Sequence, residues 1–228
     1  MKHQTQNTVV RSAAFTLIEL LVVISVIAVL AALMFPAGAA IKKKATINKA
    51  KAQLRQVAEL IERYQVRFGY LPPDNPAQPA RNSLYFELMG SSREGMASPN
   101  FNYTSLDGAA RISEADCQSD FSVGAILNCT KSNAEEAKPA EQFLKQLRSD
   151  QYYEYARGGS TIRLLTCSVL WPASSGQIIS GTQANPWRYL KNGTNNPGSF
   201  DLWVDVVLGG KTNRIGNWNS GPPEIVSY

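Results

Sequence analysis

Glu19 is the residue whose type and position most directly imply chemistry. It is the only charged residue in the run from Phe15 to Ala40, which reads FTLIELLVVISVIAVLAALMFPAGAA. A charged side chain at membrane depth is unfavourable by at least about 2–3 kcal/mol on insertion scales, so such a carboxylate normally marks a partner. The position therefore favours an ion pair made inside an apolar environment.

The remaining reactive residue types form no catalytic pattern. The single histidine, His3, lies ahead of the apolar run, and the chain contains no G-x-S-x-G elbow, phosphate-binding loop or dinucleotide fingerprint. This excludes histidine-activated nucleophiles and histidine metal sites from the rest of the chain. We expect no enzyme activity, no cofactor and no metal site.

The three cysteines, Cys117, Cys129 and Cys167, include no C-x-x-C pair. If the domain is exported, a disulfide between Cys117 and Cys129 would close a short loop and leave Cys167 in a core strand. The alternative is that all three are small buried side chains.

The element that must hold Glu19 is the apolar run itself. A hydrocarbon core about 30 Å thick requires roughly 20 apolar residues in a helix, so we predict a membrane-spanning helix over residues 15–40. A cleaved secretory signal is one alternative, but the run is longer than the usual stretch of roughly 7–15 apolar residues and contains a carboxylate. A plain single-pass anchor, the other alternative, leaves Glu19 unexplained.

Residues 41–69 continue the helix with a different pattern. Their apolar positions alternate spacings of three and four, which is typical of one buried helix face. These positions are Ile47, Ala50, Leu54, Val57, Ile61, Tyr64 and Phe68. Gly69 and the pair Pro72-Pro73 are expected to end the helix. We expect this face to pack against the chain's own globular domain.

The net charge of +5 does not indicate a single basic surface. Five lysines directly follow the apolar run: Lys42, Lys43, Lys44, Lys49 and Lys51. A nucleic-acid module would combine such a cluster with a recognition helix or stacking aromatic residues. We interpret the lysines as an interfacial and solvated helix face, and we expect no nucleic-acid partner.

Residues 70–228 are predicted to form one globular domain. We predict helices over Asn82–Met89 and Pro139–Leu147, and strands over Tyr152–Ala156, Thr161–Leu170, Trp187–Leu190 and Asp201–Leu208. Residues 91–133 have no clear period and are treated as a variable insertion. A helix followed by strands predicts the α+β class, with a long N-terminal helix packed on a small antiparallel sheet.

Residues 14–24, AFTLIELLVVI, resemble the processing and methylation motif of type IV prepilins and pseudopilins. The resemblance implies a pilin-like fold, a cytoplasmic leader of residues 1–14, cleavage between Ala14 and Phe15 by prepilin peptidase, and N-methylation of Phe15. Glu19 is then the fifth mature residue, and Pro36 falls where these proteins carry a helix-bending proline. The residue before the cut is usually Gly. Because Ala is the next smallest residue, we expect cleavage at Ala14 to survive at a lower rate.

Cleavage would create a partner for Glu19. The Phe15 nitrogen is a neutral amide before cleavage and an amine afterwards, and such an amine is largely cationic at neutral pH. Within a rigid helix Glu19 reaches its own amine poorly, but it can meet the amine of a neighbouring helix displaced along the axis. In a low-dielectric setting this pairing is strongly stabilising, so processing could gate polymerisation.

Further stretches resemble the G-type major pseudopilin of type II secretion: residues 60–64 followed by 68–72, and near the C-terminus residues 200–203 and 215–218. In that family the loop between the last two is acidic and binds calcium. Here Asp205 is the only carboxylate between them, and Lys211 and Arg214 lie near it in sequence. Calcium prefers several oxygen ligands, so we expect the site to be absent or degenerate.

The resemblance implies a structural subunit of a periplasmic pseudopilus that drives type II secretion. The chain would span the inner membrane once, with its C-terminal domain in the periplasm. Its partners would be further copies of itself, minor pseudopilins, prepilin peptidase, the inner-membrane platform protein and the assembly ATPase. The alternatives are a type IV pilus subunit, acting in adhesion, motility or DNA uptake, and a membrane-anchored periplasmic binding or enzymatic module that does not polymerise. More Lys and Arg residues follow the apolar run than precede it, and this count predicts the opposite orientation of the chain in the membrane. We follow the motif, because its peptidase requires a cytoplasmic leader.

Overall fold

The computed structural model describes residues 15–131, 139–176 and 178–227, without the side chains of residues 33–39. The leader 1–14, including Ala14, lies outside the described residues. The chain divides into two compact units, Met1–Lys44 and Ala45–Tyr228. The first helix, α1, is assigned to Leu17–Phe68 and has residues in both units.

The part of α1 in the first unit exposes apolar side chains on every side. Large apolar residues from Phe15 to Leu30 are between 47% and 81% exposed. Burying such an apolar surface from water is favourable by about 25 cal/mol per Å². Among the described residues, no helix combines the length and the apolar character needed to cross a membrane. The span predicted over residues 15–40 stays a prediction.

The part of α1 in the second unit follows the predicted seam. Ala50, Leu54, Ile61 and Tyr64 are buried in the core, and the remaining seam positions are partly buried against it. The helix ends at Phe68, and Gly69 has a φ of +81°, a left-handed conformation that favours glycine and closes the helix through its N–H bond to Gln65. The predicted burial and the predicted end of this helix are both confirmed.

Two β-sheets pack in the second unit, where the sequence predicted one small sheet. The first has the order β4-β1-β2-β3-β6-β5, with β7 also paired to β6. Its strands are β1 (Ser91–Glu94), β2 (Asn102–Ser105), β3 (Arg111–Ser113), β4 (Cys129–Lys131), β5 (Tyr152–Arg157), β6 (Ser160–Cys167) and β7 (Asn185–Pro186). All pairs are antiparallel except β1 with β4, which is parallel.

The second sheet is antiparallel, with the order β11-β10-β9-β8. Its strands are β8 (Arg188–Leu190), β9 (Asp201–Leu208), β10 (Lys211–Gly216) and β11 (Glu224–Val226). A two-residue turn joins β9 to β10 through Gly209 and Gly210, whose φ angles are +61° and +73°. Two positive φ angles are typical of tight hairpin turns, which fix the register of the strands they join.

Two short helices complete the second unit: α2 (Leu84–Met89) and α3 (Glu114–Phe121). The α2 helix lies within the predicted Asn82–Met89 helix. The α3 helix and strands β1–β4 lie in residues 91–133, where no element was predicted. The α+β class is confirmed by a long helix and antiparallel-rich sheets.

The helix predicted over Pro139–Leu147 is wrong, because this segment contains neither helix nor strand. Its backbone bonds elsewhere: the Asn128 amide accepts the Glu141 N–H at 2.9 Å and donates to the Glu141 carbonyl at 2.7 Å. The Phe143 N–H donates to the Leu88 carbonyl at the end of α2. Tertiary hydrogen bonds therefore replace the helical ones in this segment.

Candidate functional site

Glu19 and Thr16 cap the start of α1 reciprocally. The Thr16 backbone N–H and hydroxyl both donate to Glu19 Oε2, at 2.8 and 2.7 Å. In return, Thr16 Oγ1 accepts the Glu19 backbone N–H at 3.2 Å. This is a capping box, in which residues three apart satisfy two backbone donors that a helix start leaves unpaired. The signal was the T-x-x-E pattern at Thr16–Glu19, and our sequence reasoning missed it.

The capping box holds the Glu19 carboxylate at the N-terminal end of α1. Its Oε2 binds the N–H of Thr16, one residue beyond the Phe15 nitrogen that processing would free. Among the described residues, Oε1 of Glu19 accepts no hydrogen bond. One oxygen thus stabilises the helix start, and the other remains available to an external cation.

The other predicted site residues are placed as follows. Phe15 precedes the helix and is 79% exposed. Pro36 lies within α1, which is assigned without interruption, and its side chain is not described. Ala14 lies outside the described residues, so cleavage between Ala14 and Phe15 stays a prediction.

The structure contains Cys117, Cys129 and Cys167 as free thiols, so the predicted Cys117–Cys129 disulfide is not formed in it. Cys117 and Cys167 are buried and Cys129 is partly buried. Burial raises the pKa of all three thiols, that of Cys167 to about 11. The disulfide between Cys117 and Cys129 stays a prediction for the exported protein.

Asp205, the carboxylate of the sequence stretch compared with a calcium loop, is fully buried and bound by arginine. Arg214 Nε donates to its Oδ1 at 2.9 Å and Nη2 to its Oδ2 at 3.2 Å. Arg188 approaches from β8, with Nη2 3.7 Å from Oδ2. Both carboxylate oxygens are therefore engaged by guanidinium groups, which supports the expectation of a degenerate calcium site. The described residues include no cluster of three or more potential metal-ligating His, Cys, Asp or Glu side chains.

A second buried carboxylate, Glu87 of α2, was not foreseen. It accepts the Tyr64 hydroxyl at 2.8 Å and the backbone N–H groups of Leu127 and Asn128 at 2.8 and 3.0 Å. Burial raises its pKa to about 7, against the opposing effect of these three hydrogen bonds. Glu87 ties the second part of α1 to the loop before β4, which is a structural role.

The fold and the capped carboxylate define the class: an α+β protein in which a long N-terminal helix, with a glutamate in its first turn, precedes a β-rich domain, consistent with the pilin-like fold. Residues 10–35 match the family described as the prokaryotic N-terminal methylation motif. The matched range includes Ala14, Phe15, Thr16 and Glu19 and ends one residue before Pro36. No curated protein and no solved structure matches the chain. The chain thus carries the N-terminal motif of type IV pilin-like prepilins.

Proposed function

We propose that this protein is a structural pseudopilin, with no enzyme activity, that assembles into a periplasmic filament for type II protein secretion. The observation that carries the proposal is the methylation motif at residues 10–35, whose Glu19 stands capped at the start of α1 with one free oxygen. A soluble enzyme or binding domain has no use for a helix that exposes apolar side chains on every side.

Processing is the first proposed step. Prepilin peptidase hydrolyses the peptide bond between Ala14 and Phe15, so the leader gains a carboxylate and Phe15 gains an α-amine. Methylation of that nitrogen keeps it basic. The new cation lies beside the Thr16 N–H that Glu19 Oε2 already binds.

Polymerisation is the second proposed step. The free Oε1 of Glu19 accepts a hydrogen bond from the Phe15 amine of a neighbouring copy. The exposed apolar side chains of the two helices then cover each other. An unpaired charge in a low-dielectric environment is unfavourable. The Phe15 amine exists only after processing, so only processed subunits can neutralise the Glu19 carboxylate of a neighbour. Pro36 lacks an N–H and gives the helix a weak point where neighbouring copies can adjust.

The proposed location follows from the motif. The chain spans the inner membrane once through residues 15–40 and keeps its C-terminal domain in the periplasm until assembly. Its partners are further copies, minor pseudopilins, prepilin peptidase, the platform protein and the assembly ATPase.

A type IV pilus subunit is the second candidate. The pseudopilin reading is favoured by residues 200–203 and 215–218, which resemble the end of a G-type major pseudopilin. These stretches are neighbours: Trp203 pairs with Gly216 between β9 and β10, and the Trp203 and Trp218 rings lie 6.0 Å apart. Asn217 joins them further, accepting the Leu202 N–H at 3.0 Å.

The deciding experiment measures the mature N-terminus and filament formation in the same cells. We expect mass spectrometry to find N-methylated Phe15 as the first residue, and Glu19→Ala to abolish filaments while Glu19→Asp retains some. A mature protein beginning at Ala40, or normal filaments from Glu19→Ala, would contradict the proposal. Loss of secretion without loss of surface pili on gene deletion would separate the pseudopilus from the pilus.

A further inference from the structure

Three consecutive lysines follow the apolar part of α1 within the first unit. We call Lys42, Lys43 and Lys44 the lysine collar. All three side chains are exposed, and so is Ile41, which precedes them with 68% of its surface accessible. The proposed function gives Glu19 and the apolar helix a role in assembly, but it leaves the lysine collar without one.

The lysine collar has no acidic neighbour along the helix. The sequence contains no Asp or Glu from residue 20 to residue 58, although a carboxylate three or four positions away is the usual partner of a helical lysine. The two lysines that follow in the second unit differ in this respect. Lys49 Nζ lies 3.9 Å from Asp150 Oδ2. Lys51 Nζ donates a hydrogen bond to the Gly221 carbonyl.

The uncharged segment ahead of the lysine collar is about as long as a bilayer core is thick. At 1.5 Å per residue, residues 20–41 extend over about 33 Å, and the hydrocarbon core is about 30 Å thick. Ser25 is the only one of these residues with a polar side chain, and its hydroxyl donates to the Val22 carbonyl at 2.8 Å. In the membrane-spanning position proposed above, the collar therefore lies at the depth of the lipid headgroups.

The three lysines surround the helix instead of marking one face of it. Successive residues of an α-helix are about 100° apart, so three in a row cover about 200° of the circumference. A docked protein surface normally contacts a stripe of residues three and four positions apart. Lysine side chains are long and flexible, and each ends in a compact positive charge. A layer of phosphate groups around the helix can reach all three lysines, whereas one docked surface reaches only some of them.

We propose that the lysine collar binds the anionic headgroups of phospholipids where α1 leaves the membrane on the periplasmic side. This inference rests on the proposed function, because it takes residues 15–40 to span the membrane. Anionic headgroups attract clusters of basic residues that directly follow a membrane span. Lysines on the translocated side run against the usual distribution of Lys and Arg. Headgroup binding gives them a role there, because it fixes the depth of the helix until the subunit assembles.

The full-length protein in phosphatidylcholine vesicles tests the binding. The vesicles contain a trace of spin-labelled phosphatidylglycerol or of spin-labelled phosphatidylcholine, and electron paramagnetic resonance measures the fraction of each label that the protein immobilises. We expect the wild-type protein to prefer the anionic label by about fivefold in low salt, and to lose most of this preference in high salt.

Two triple variants assign the preference to the lysine collar. Lys42→Gln with Lys43→Gln and Lys44→Gln should reduce it to less than about twofold, and arginine at the same three positions should retain it, because the charge is kept. The matched control removes three exposed lysines from the second unit: Lys131→Gln, Lys145→Gln and Lys211→Gln. This control has the same net charge as the glutamine variant and should bind the lipids like the wild type.

Equal immobilisation of the two labels by the wild-type protein overturns the proposal, and so does a preference that survives the glutamine changes in the collar. A preference that the second-unit control also loses depends on net charge alone and overturns the collar as its site. If the wild-type protein shows no preference, yet the glutamine variant of the collar forms no filaments in cells, the collar contacts a protein and not lipid.

Alkaline carbonate extraction of the same vesicles separates this proposal from the proposed function. A wild-type chain that carbonate removes from the vesicles does not span the membrane, and this result overturns the proposed location together with the lipid binding. A chain that resists carbonate but immobilises both labels equally overturns the lipid binding alone. Circular dichroism and the thermal midpoint of the second unit verify that every variant is folded.

Discussion

The Tyr64 hydroxyl of α1 donates a 2.8 Å hydrogen bond to the carboxylate of Glu87 on α2, and both side chains are fully buried. The same carboxylate accepts the N–H groups of Leu127 and Asn128. Three separate parts of the chain therefore meet at one ionisable group. The attachment of the second part of α1 to the domain should respond to the protonation of that group.

Stability should fall as pH rises from about 4.5 to about 7. Burial raises the pKa of Glu87 to about 7 in the folded protein, above its ordinary value of 4.5, so the folded state binds the proton more tightly than the unfolded state. Below the unfolded pKa both states are protonated. Between these two pKa values the unfolded state loses its proton while the folded state keeps it, so the free energy of unfolding falls by on the order of 3 kcal/mol. Above about pH 7 both states are deprotonated and the stability no longer changes with pH. Urea unfolding across this pH range, followed by tryptophan fluorescence, measures the slope.

Glu87→Gln should remove most of that slope. Glutamine does not ionise, but its amide must face a backbone N–H that the carboxylate accepted, so stability at pH 5 should fall by roughly 1–3 kcal/mol. Glu59→Gln, an exposed change on the same unit, is the control and should preserve the wild-type slope. An unchanged slope in Glu87→Gln would show that other groups set the pH dependence.

Arg214→Met should destabilise the domain by roughly 3 kcal/mol, because it removes the two hydrogen bonds that Arg214 donates to the buried Asp205 carboxylate. Asp205→Asn should have a similar cost, and the double variant should cost less than the sum of the two. Urea unfolding of all three variants gives the coupling energy. Additive effects would mean that Arg214 does not compensate the Asp205 charge.

Calcium should have no effect on stability. Arg214 and Arg188 already compensate Asp205, and a divalent cation there would be repelled by two guanidinium groups. We expect equal thermal midpoints in millimolar calcium and in chelator, with magnesium as the control. Stoichiometric calcium binding measured by calorimetry would contradict this expectation.

Thr16→Val should loosen the first turn of α1. Valine keeps the shape of threonine but lacks the hydroxyl that both donates to and accepts from Glu19. Loss of an N-cap costs about 1 kcal/mol, so amide exchange in the first turn should accelerate about fivefold in a membrane mimetic. Thr16→Ser retains the hydroxyl and should exchange like the wild type, and equal protection in Thr16→Val would argue against the capping box.

All three thiols should be free in the purified protein, and Cys117 and Cys167 should react only after unfolding, because both are buried. Titration with a chromogenic disulfide reagent should count three thiols in denaturant. A count of one would indicate that the disulfide predicted between Cys117 and Cys129 forms after export.

Local patterns were enough to predict part of the fold. The alternating seam from Ile47 to Phe68 predicted the buried face of α1, and Gly69 predicted its end. The apolar run from Asp201 to Leu208 is β9, and the run beginning at Thr161 contains most of β6. Strands β1–β4 have only three or four residues each, too few for a period to emerge from the sequence.

By itself the sequence determined what depends on neighbours along the chain: the apolar helix, its single carboxylate, the seam, and the processing motif before them. Only the tertiary structure decided which distant groups meet. Arg188 and Arg214 contact Asp205, and Tyr64 donates to Glu87. Hydrogen bonds with Asn128 replace the helical ones in residues 139–147. The physical reason is that helical periodicity is set by residues three or four apart, whereas buried charges and backbone donors are satisfied by whatever partner the fold brings near.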